Sequence, residues 1–201
     1  MKPLKSLQAL MESFEKLPGV GSKSAERMAQ AILEFSEEDV LQFQTSLGAV
    51  KANVHACSEC GILTEEARCE ICTSARTYET LVVVSYSKDV VAFEKLEETP
   101  YRYHVLGGVL SAAKGFGIED LNIDSLKKKL QTQPIKELII ATNPTLEGET
   151  TAQFIATLMQ KEGLTISRIG YGLPMGGHVD YADALTLTKA MIGRTNLKGV
   201  K

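Results

Sequence analysis

CSECGILTEEARCEIC, residues 57–72, contains all four cysteines of the chain, Cys57, Cys60, Cys69 and Cys72. They form two C-x2-C pairs separated by eight residues. Two such knuckles can surround one Zn(II) with four thiolates in a tetrahedron, at about 2.3 Å each. Two disulfides are the alternative, and a reducing cytosol opposes them. A redox pair of the C-x2-C type needs one knuckle and leaves the second unexplained. Four thiolates leave no open coordination position, so the expected metal is structural. It staples a segment too short to bury a core of its own. A finger that itself reads DNA is the competing use.

The stretch also divides the chain. Upstream, Leu4, Leu7, Leu10, Met11, Phe14 and Leu17 recur every three or four residues, which predicts a helix to about Lys16. Pro18-Gly19-Val20-Gly21 is a turn, and Ser22 is the expected N-cap of a second helix. Ser36 followed by Glu37, Glu38 and Asp39 opens a third. Downstream, short apolar runs alternate with helical patterns. LVVVS (81–85), YRYHVLG (101–107), ELIIAT (137–142) and LTISRIGYG (164–172) read as strands. Helices are expected from Ser87 through Leu96, over Asp124–Gln131, over Glu149–Gly163 and over Asp183–Ile192. Alternation of this kind implies a parallel sheet with right-handed crossovers. The expected fold is a multidomain α+β chain. Its parts are a helical front (1–54), a four-cysteine zinc finger (55–78), an α/β domain (79–172) and a C-terminal segment for oligomerisation (173–201).

The 201 residues carry a net charge of -3, with 44% hydrophobic and 23% charged residues. This mild acidity opposes nucleic-acid binding over the whole surface and leaves room for a local basic patch. No apolar run reaches the roughly 18–20 residues of a membrane span. The N-terminus lacks a long apolar h-region and a small-residue cleavage site, so a cytoplasmic chain is expected.

LPGVGSKSAERMA (17–29) supplies the patch. Helix, apolar-x-Gly-apolar-Gly, helix is the helix-hairpin-helix pattern. Gly19 and Gly21 let backbone amides approach a phosphate, and the N-terminus of the second helix adds partial positive charge. Lys23 and Arg27, four apart, share a helix face and can neutralise neighbouring phosphates. Contacts of this kind position DNA without reading its sequence.

This order of parts, with ATNPTLEGETTA (141–152) and GLPMGGHVDYADALTL (172–187), resembles the RecR family of bacterial recombination mediators over essentially the whole chain. The resemblance implies a Toprim fold for the α/β body and a ring-like tetramer able to encircle DNA. It also implies action with RecO, and in some settings RecF, in loading RecA onto single-stranded DNA coated by single-strand-binding protein. On DNA the chain would lie with the nucleoid.

Catalytic Toprim domains hold Mg(II) with a Glu after the first strand and an Asp-x-Asp after a later one. Here the corresponding stretches read Ser85 and Thr142-Asn143-Pro144. A two-metal site needs several converging carboxylates, and Glu147 and Glu149 alone lie close by in sequence. The body is therefore expected to be catalytically empty. The resemblance assigns Glu147 and Glu149 to partner docking, whereas helix-start charge explains them without a partner. Asp89 is expected to serve the start of its helix, and Asp183 to be an N-cap. No G-x-x-x-x-G-K-[ST] is present, so the C-terminal glycines are read as turns. Lys127, Lys128 and Lys129 are expected on the solvated face of a helix, and His178 at the surface. Arg194 has two uses open to it, an interface or DNA. An active Mg(II) nuclease or topoisomerase, and a protein scaffold with little DNA affinity, are the alternatives to a non-enzymatic clamp.

Overall fold

The computed structural model describes residues 4–96 and 101–195. The chain divides into two compact units, residues 1–54 and 55–201.

The first unit is helical: α1 (Lys5–Glu15), α2 (Ser22–Ile32) and α3 (Glu37–Asn53). Helices α1 and α2 pack together. Ala25 and Ala29, one turn apart on α2, are fully buried. Ser36 begins α3 with a capping box, its Oγ accepting from the Asp39 amide at 3.1 Å and Asp39 Oδ2 accepting from the Ser36 amide. Ser22 does not cap α2 as expected. Gly21 already has the extended backbone of an N-cap, so the helix starts one residue earlier and Ser22 lies inside it. Leu41, Phe43, Leu47 and Val50 of α3 are exposed.

The second unit opens with a two-residue antiparallel ladder, β1 (His55–Ala56) against β2 (Leu63–Thr64), and a single helical turn, α4 (Glu70–Thr73). The α/β body follows as β3 (Thr80–Val84), α5 (Ser87–Phe93), β4 (Arg102–Val105), α6 (Ile123–Thr132), β5 (Glu137–Ile140), α7 (Leu146–Leu158) and β6 (Thr165–Arg168). All three strand pairings are parallel, in the order β4-β3-β5-β6. The expected parallel sheet is present.

Each face of the sheet is covered. Val82, Val84, Tyr103 and Val105 pack with Val90 of α5. On the other face Leu81, Val83, Leu138 and Ile140 pack with Leu126 and Leu130 of α6 and Ile155 of α7. β3 crosses to β4 on one side and is flanked by β5 on the other. The order reverses there, which opens a crevice beyond the carboxyl ends of β3 and β5. Ser85 and the Thr142–Thr145 turn lie at that crevice.

Three further expectations need correction. Ser87 is the first residue of α5 and makes no cap; its Oγ accepts instead from the Leu63 amide at 2.9 Å. Helix α7 begins at Leu146 because the Thr145 hydroxyl accepts from the Gly148 amide at 3.1 Å, and it ends at Leu158, well before Gly163. Lys129 is buried, 6% exposed, on the core face of α6, whereas Lys128 is solvated as expected.

After β6 a short 3-10 turn (Val179–Tyr181) leads to α8 (Ala184–Ile192), capped by Asp183 as expected. No residue from 172 to 195 is buried. Met175, Tyr181, Leu185 and Ile192 stand out in solvent. The end of the expected C-terminal segment, 196–201, lies outside the described residues.

Candidate nucleic-acid interface and zinc centre

The hairpin between α1 and α2 is closed by the Val20 amide donating to the Leu17 carbonyl at 3.1 Å. Gly19 has φ +81, a left-handed conformation that L side chains avoid. Gly21 caps α2 with no side chain, so the first-turn amides of α2 have no side-chain acceptor. Lys23 and Arg27 are both exposed. They lie two residues from the buried pair Ala25 and Ala29, about half a turn round the helix, so they point away from the packed face. Among the described residues neither makes an ion pair. Two unneutralised cations, bare amides and a helix N-terminus thus converge on one edge of this unit, a combination suited to phosphate.

In the second unit the four cysteines are buried, and their Sγ atoms all lie within 4.8 Å of one another. A tetrahedral Zn(II) at 2.3 Å from each sulfur needs separations of about 3.8 Å. The Cys60 and Cys69 sulfurs are 3.5 Å apart, and the Cys69 amide donates to Cys57 Sγ at 3.4 Å. Cys72 is lowered to about 6, chiefly by its hydrogen bond with Cys60, whose own thiol is pushed up by the same bond. The residues fit one structural Zn(II).

The finger is fastened to the sheet. The Val105 amide donates to the Cys60 carbonyl at 2.7 Å. Gly61, at φ +79, brings its knuckle against β4; a Cβ there would sit 2.9 Å from the Val105 carbonyl oxygen. Arg102 on β4 is 5% exposed and donates to the carbonyls of Ile71, Cys72, Ser74 and Arg76. Its guanidinium also stacks on Tyr78 at 3.9 Å. Arg102 has no signature in the sequence, since an arginine in a short strand carries no spacing signal.

At the crevice, the side chain of Ser85 is buried with its Oγ unbonded among the described residues. Thr142 Oγ1 donates to the Gly148 carbonyl at 2.8 Å. Arg168, at the end of β6, donates to the carbonyls of Ile140 and Thr142 and to Glu149 Oε1 at 2.8 Å. Tyr171 also donates to Glu149 Oε1. Burial pushes the Glu149 carboxyl up, but the bonds from Tyr171 and Arg168 outweigh it and hold the group below its ordinary value. Burial and the bond to Glu149 push Tyr171 up to about 12. Glu147 is half-buried, one turn earlier in α7 than Thr151, and its carboxylate makes no bond to a described residue. Asp89 Oδ2 accepts from the Tyr86 amide at 2.8 Å, at the start of α5 as expected. His178 is exposed and edge-on to Tyr181, and Arg194 donates to the Met191 carbonyl.

Residues 7–51 match the family described as RecR, helix-hairpin-helix, and residues 54–74 the RecR zinc finger domain of the four-cysteine type. Residues 79–170 match the Toprim domain and residues 172–195 the RecR C-terminal family. The chain is 46% identical to recombination protein RecR of Staphylococcus saprophyticus subsp. saprophyticus over 192 residues, 95% of this chain and 97% of that protein. The chain belongs to the RecR family. In this RecR-family chain the Toprim crevice has Ser85 and Thr142-Asn143-Pro144. A protein cation, Arg168, stands bonded to the carboxylate of Glu149. Among the described residues the one cluster of acids, histidines or cysteines able to hold a metal is the cysteine set. No described helix is long and apolar enough to cross a membrane.

Proposed function

We propose that this chain is a recombination mediator of DNA repair that holds DNA without cutting it. The observation that carries the reading is the α1–α2 hairpin, where uncapped amides and the free cations Lys23 and Arg27 share one exposed edge. Gly19 and Gly21 shape the approach and the two cations neutralise phosphates, so single- and double-stranded DNA are bound with no sequence preference.

The Toprim body serves as a platform. Its crevice offers a hydroxyl at Ser85, an amide and a proline in the later loop, and a carboxylate already neutralised by Arg168. That supports a non-enzymatic role. Partner docking falls to Glu147, whose carboxylate makes no bond to a described residue, more than to Glu149, which is held by Arg168 and Tyr171. The partners are RecO and, in some settings, RecF, and the outcome is RecA loaded on single-stranded DNA. The exposed apolar residues of α3 and of the C-terminal segment suit contacts between copies in a tetrameric ring. The place of action is the cytoplasm.

Incubation of the zinc-loaded protein with supercoiled, linear and single-stranded DNA in Mg(II) or Mn(II) tests the non-enzymatic part. Unchanged DNA is expected at every protein concentration. Metal-dependent cleavage or relaxation that disappears in Glu147→Gln overturns it.

A further inference from the structure

A tetrathiolate zinc centre carries two net negative charges, four from the thiolates against two from the metal. Held in a protein interior, that excess is costly unless cations or N–H donors match it.

Among the described residues, Arg68, Arg102 and Lys129 are the cationic side chains that stand by the cysteines. Arg68 is half exposed and is matched by Glu59, whose Oε2 accepts from its Nη2 at 2.6 Å. The other two are Arg102, 5% exposed, and Lys129, 6% exposed. Among the described residues neither forms an ion pair with a carboxylate. Arg102 is held by four carbonyls, one of them that of Cys72. Lys129 Nζ donates to the Tyr103 carbonyl at 3.3 Å.

Tyr103 follows Arg102, which bonds the second knuckle, and lies two residues before Val105, which bonds the first. Ser125, four residues before Lys129 on the same face of α6, donates to the Glu59 carbonyl at 3.4 Å, next to Cys60. The ammonium is therefore fixed where β4, α6 and both knuckles meet. Burial pushes it below its ordinary value, against the pull of Cys60, Cys72, Glu59 and Cys57.

We propose that Arg102 and Lys129 are the built-in counter-charges of the zinc tetrathiolate, and that Lys129 is a positioning residue that retains the metal. Two buried cations without carboxylate partners balance a site with two excess negative charges. Arg102 has a second duty in gathering loop carbonyls, so the test falls on Lys129. The inference rests on the reading of the four cysteines as the zinc site.

The experiment begins with zinc content. One Zn(II) per chain in the wild type is the condition on which that reading stands or falls. Zinc transfer to a chromophoric chelator is then followed for wild type, Lys129→Met and Lys129→Arg. Outer partners of metal ligands are worth on the order of 10–100-fold in affinity. Lys129→Met is expected to release zinc at least ~10-fold faster, with Lys129→Arg close to wild type. Urea midpoints with and without metal separate this from simple packing, because the methionine variant should lose stability only in the zinc-loaded form. Equal release rates in a stoichiometrically loaded protein, or equal destabilisation with and without zinc, overturn the proposal. If the methionine variant does not fold, Lys129→Gln, neutral yet able to donate to Tyr103, takes its place with the same two outcomes.

Discussion

The amide of Val105 donates to the carbonyl of Cys60 at 2.7 Å, so the first zinc knuckle is bonded to the edge strand of the parallel sheet. Together with the four carbonyls gathered by Arg102, this makes the finger one wall of the α/β body. Removal of zinc is expected to lower the stability of the body as well as the finger. Amide hydrogen exchange with and without chelator checks this: protection in β4 and β3 should fall along with that of residues 57–72. Loss confined to the finger would contradict it.

Gly21 separates binding from stability. Its φ of -94 suits any residue, and a Cβ there meets nothing within 4 Å. Asp is a better N-cap than Gly by a few tenths of a kcal/mol. Gly21→Asp is therefore expected to keep or raise the thermal midpoint. It should also weaken DNA binding at least ~10-fold, about 1.4 kcal/mol, by setting a carboxylate against the phosphate. Gly19→Ala should instead cost about 1–2 kcal/mol of stability, since its φ of +81 is left-handed. Thermal melts paired with DNA titrations distinguish the two.

His104 sets a pH dependence. It is fully buried on β4, its Nε2 lying 2.7 Å from the Asn122 carbonyl oxygen. Burial, then the charge of Lys129, pushes its pKa from 6.5 down to about 3. The folded chain stays neutral there while the unfolded chain takes up a proton. This group's contribution is complete above about pH 6.5 and is lost as pH falls toward about 3, by at most ~1.4 kcal/mol per pH unit. His104→Gln keeps a donor toward Asn122 and should flatten the curve of urea midpoint against pH over that window. Parallel curves would refute the assignment.

The two glutamates of α7 should behave differently. Glu149→Gln weakens a bridge whose carboxylate is 36% exposed, so the expected loss is ~0.5–1 kcal/mol of stability. Glu147→Gln should leave stability unchanged and reduce binding of the cognate RecO. Chemical denaturation and calorimetric titration of both variants measure the contrast, and a reversed pattern would assign docking to Glu149.

Much of this was legible in the chain. Apolar spacing located α1, α2 and α3, β-branched runs located the strands, and two C-x2-C pairs gave the metal centre. Boundaries failed where a side chain was recruited elsewhere. Ser87 caps nothing because Leu63 claims its hydroxyl across 24 residues, a partner no local window contains. The acid at Glu149 suggests a helix start there, whereas Thr145 and the Gly148 amide fix the start of α7 at Leu146. Lys129 is more instructive. It follows Leu126 by three residues and precedes Leu130, so helical geometry puts it on the buried face. A run of three lysines reads as a solvated face, and that pattern masks the position of the third. The Arg168–Glu149–Tyr171 cluster joins a strand end, a helix start and a loop, and only the fold brings those together.

The most direct test of the central claim is fluorescence anisotropy with a duplex bearing a single-stranded tail. Wild type and the Lys23→Ala/Arg27→Ala double variant would be titrated at two salt concentrations. The account predicts wild-type binding that weakens as salt rises and is lost in the double variant. Binding that persists in the double variant with the same salt dependence would contradict it and move the DNA site away from the hairpin.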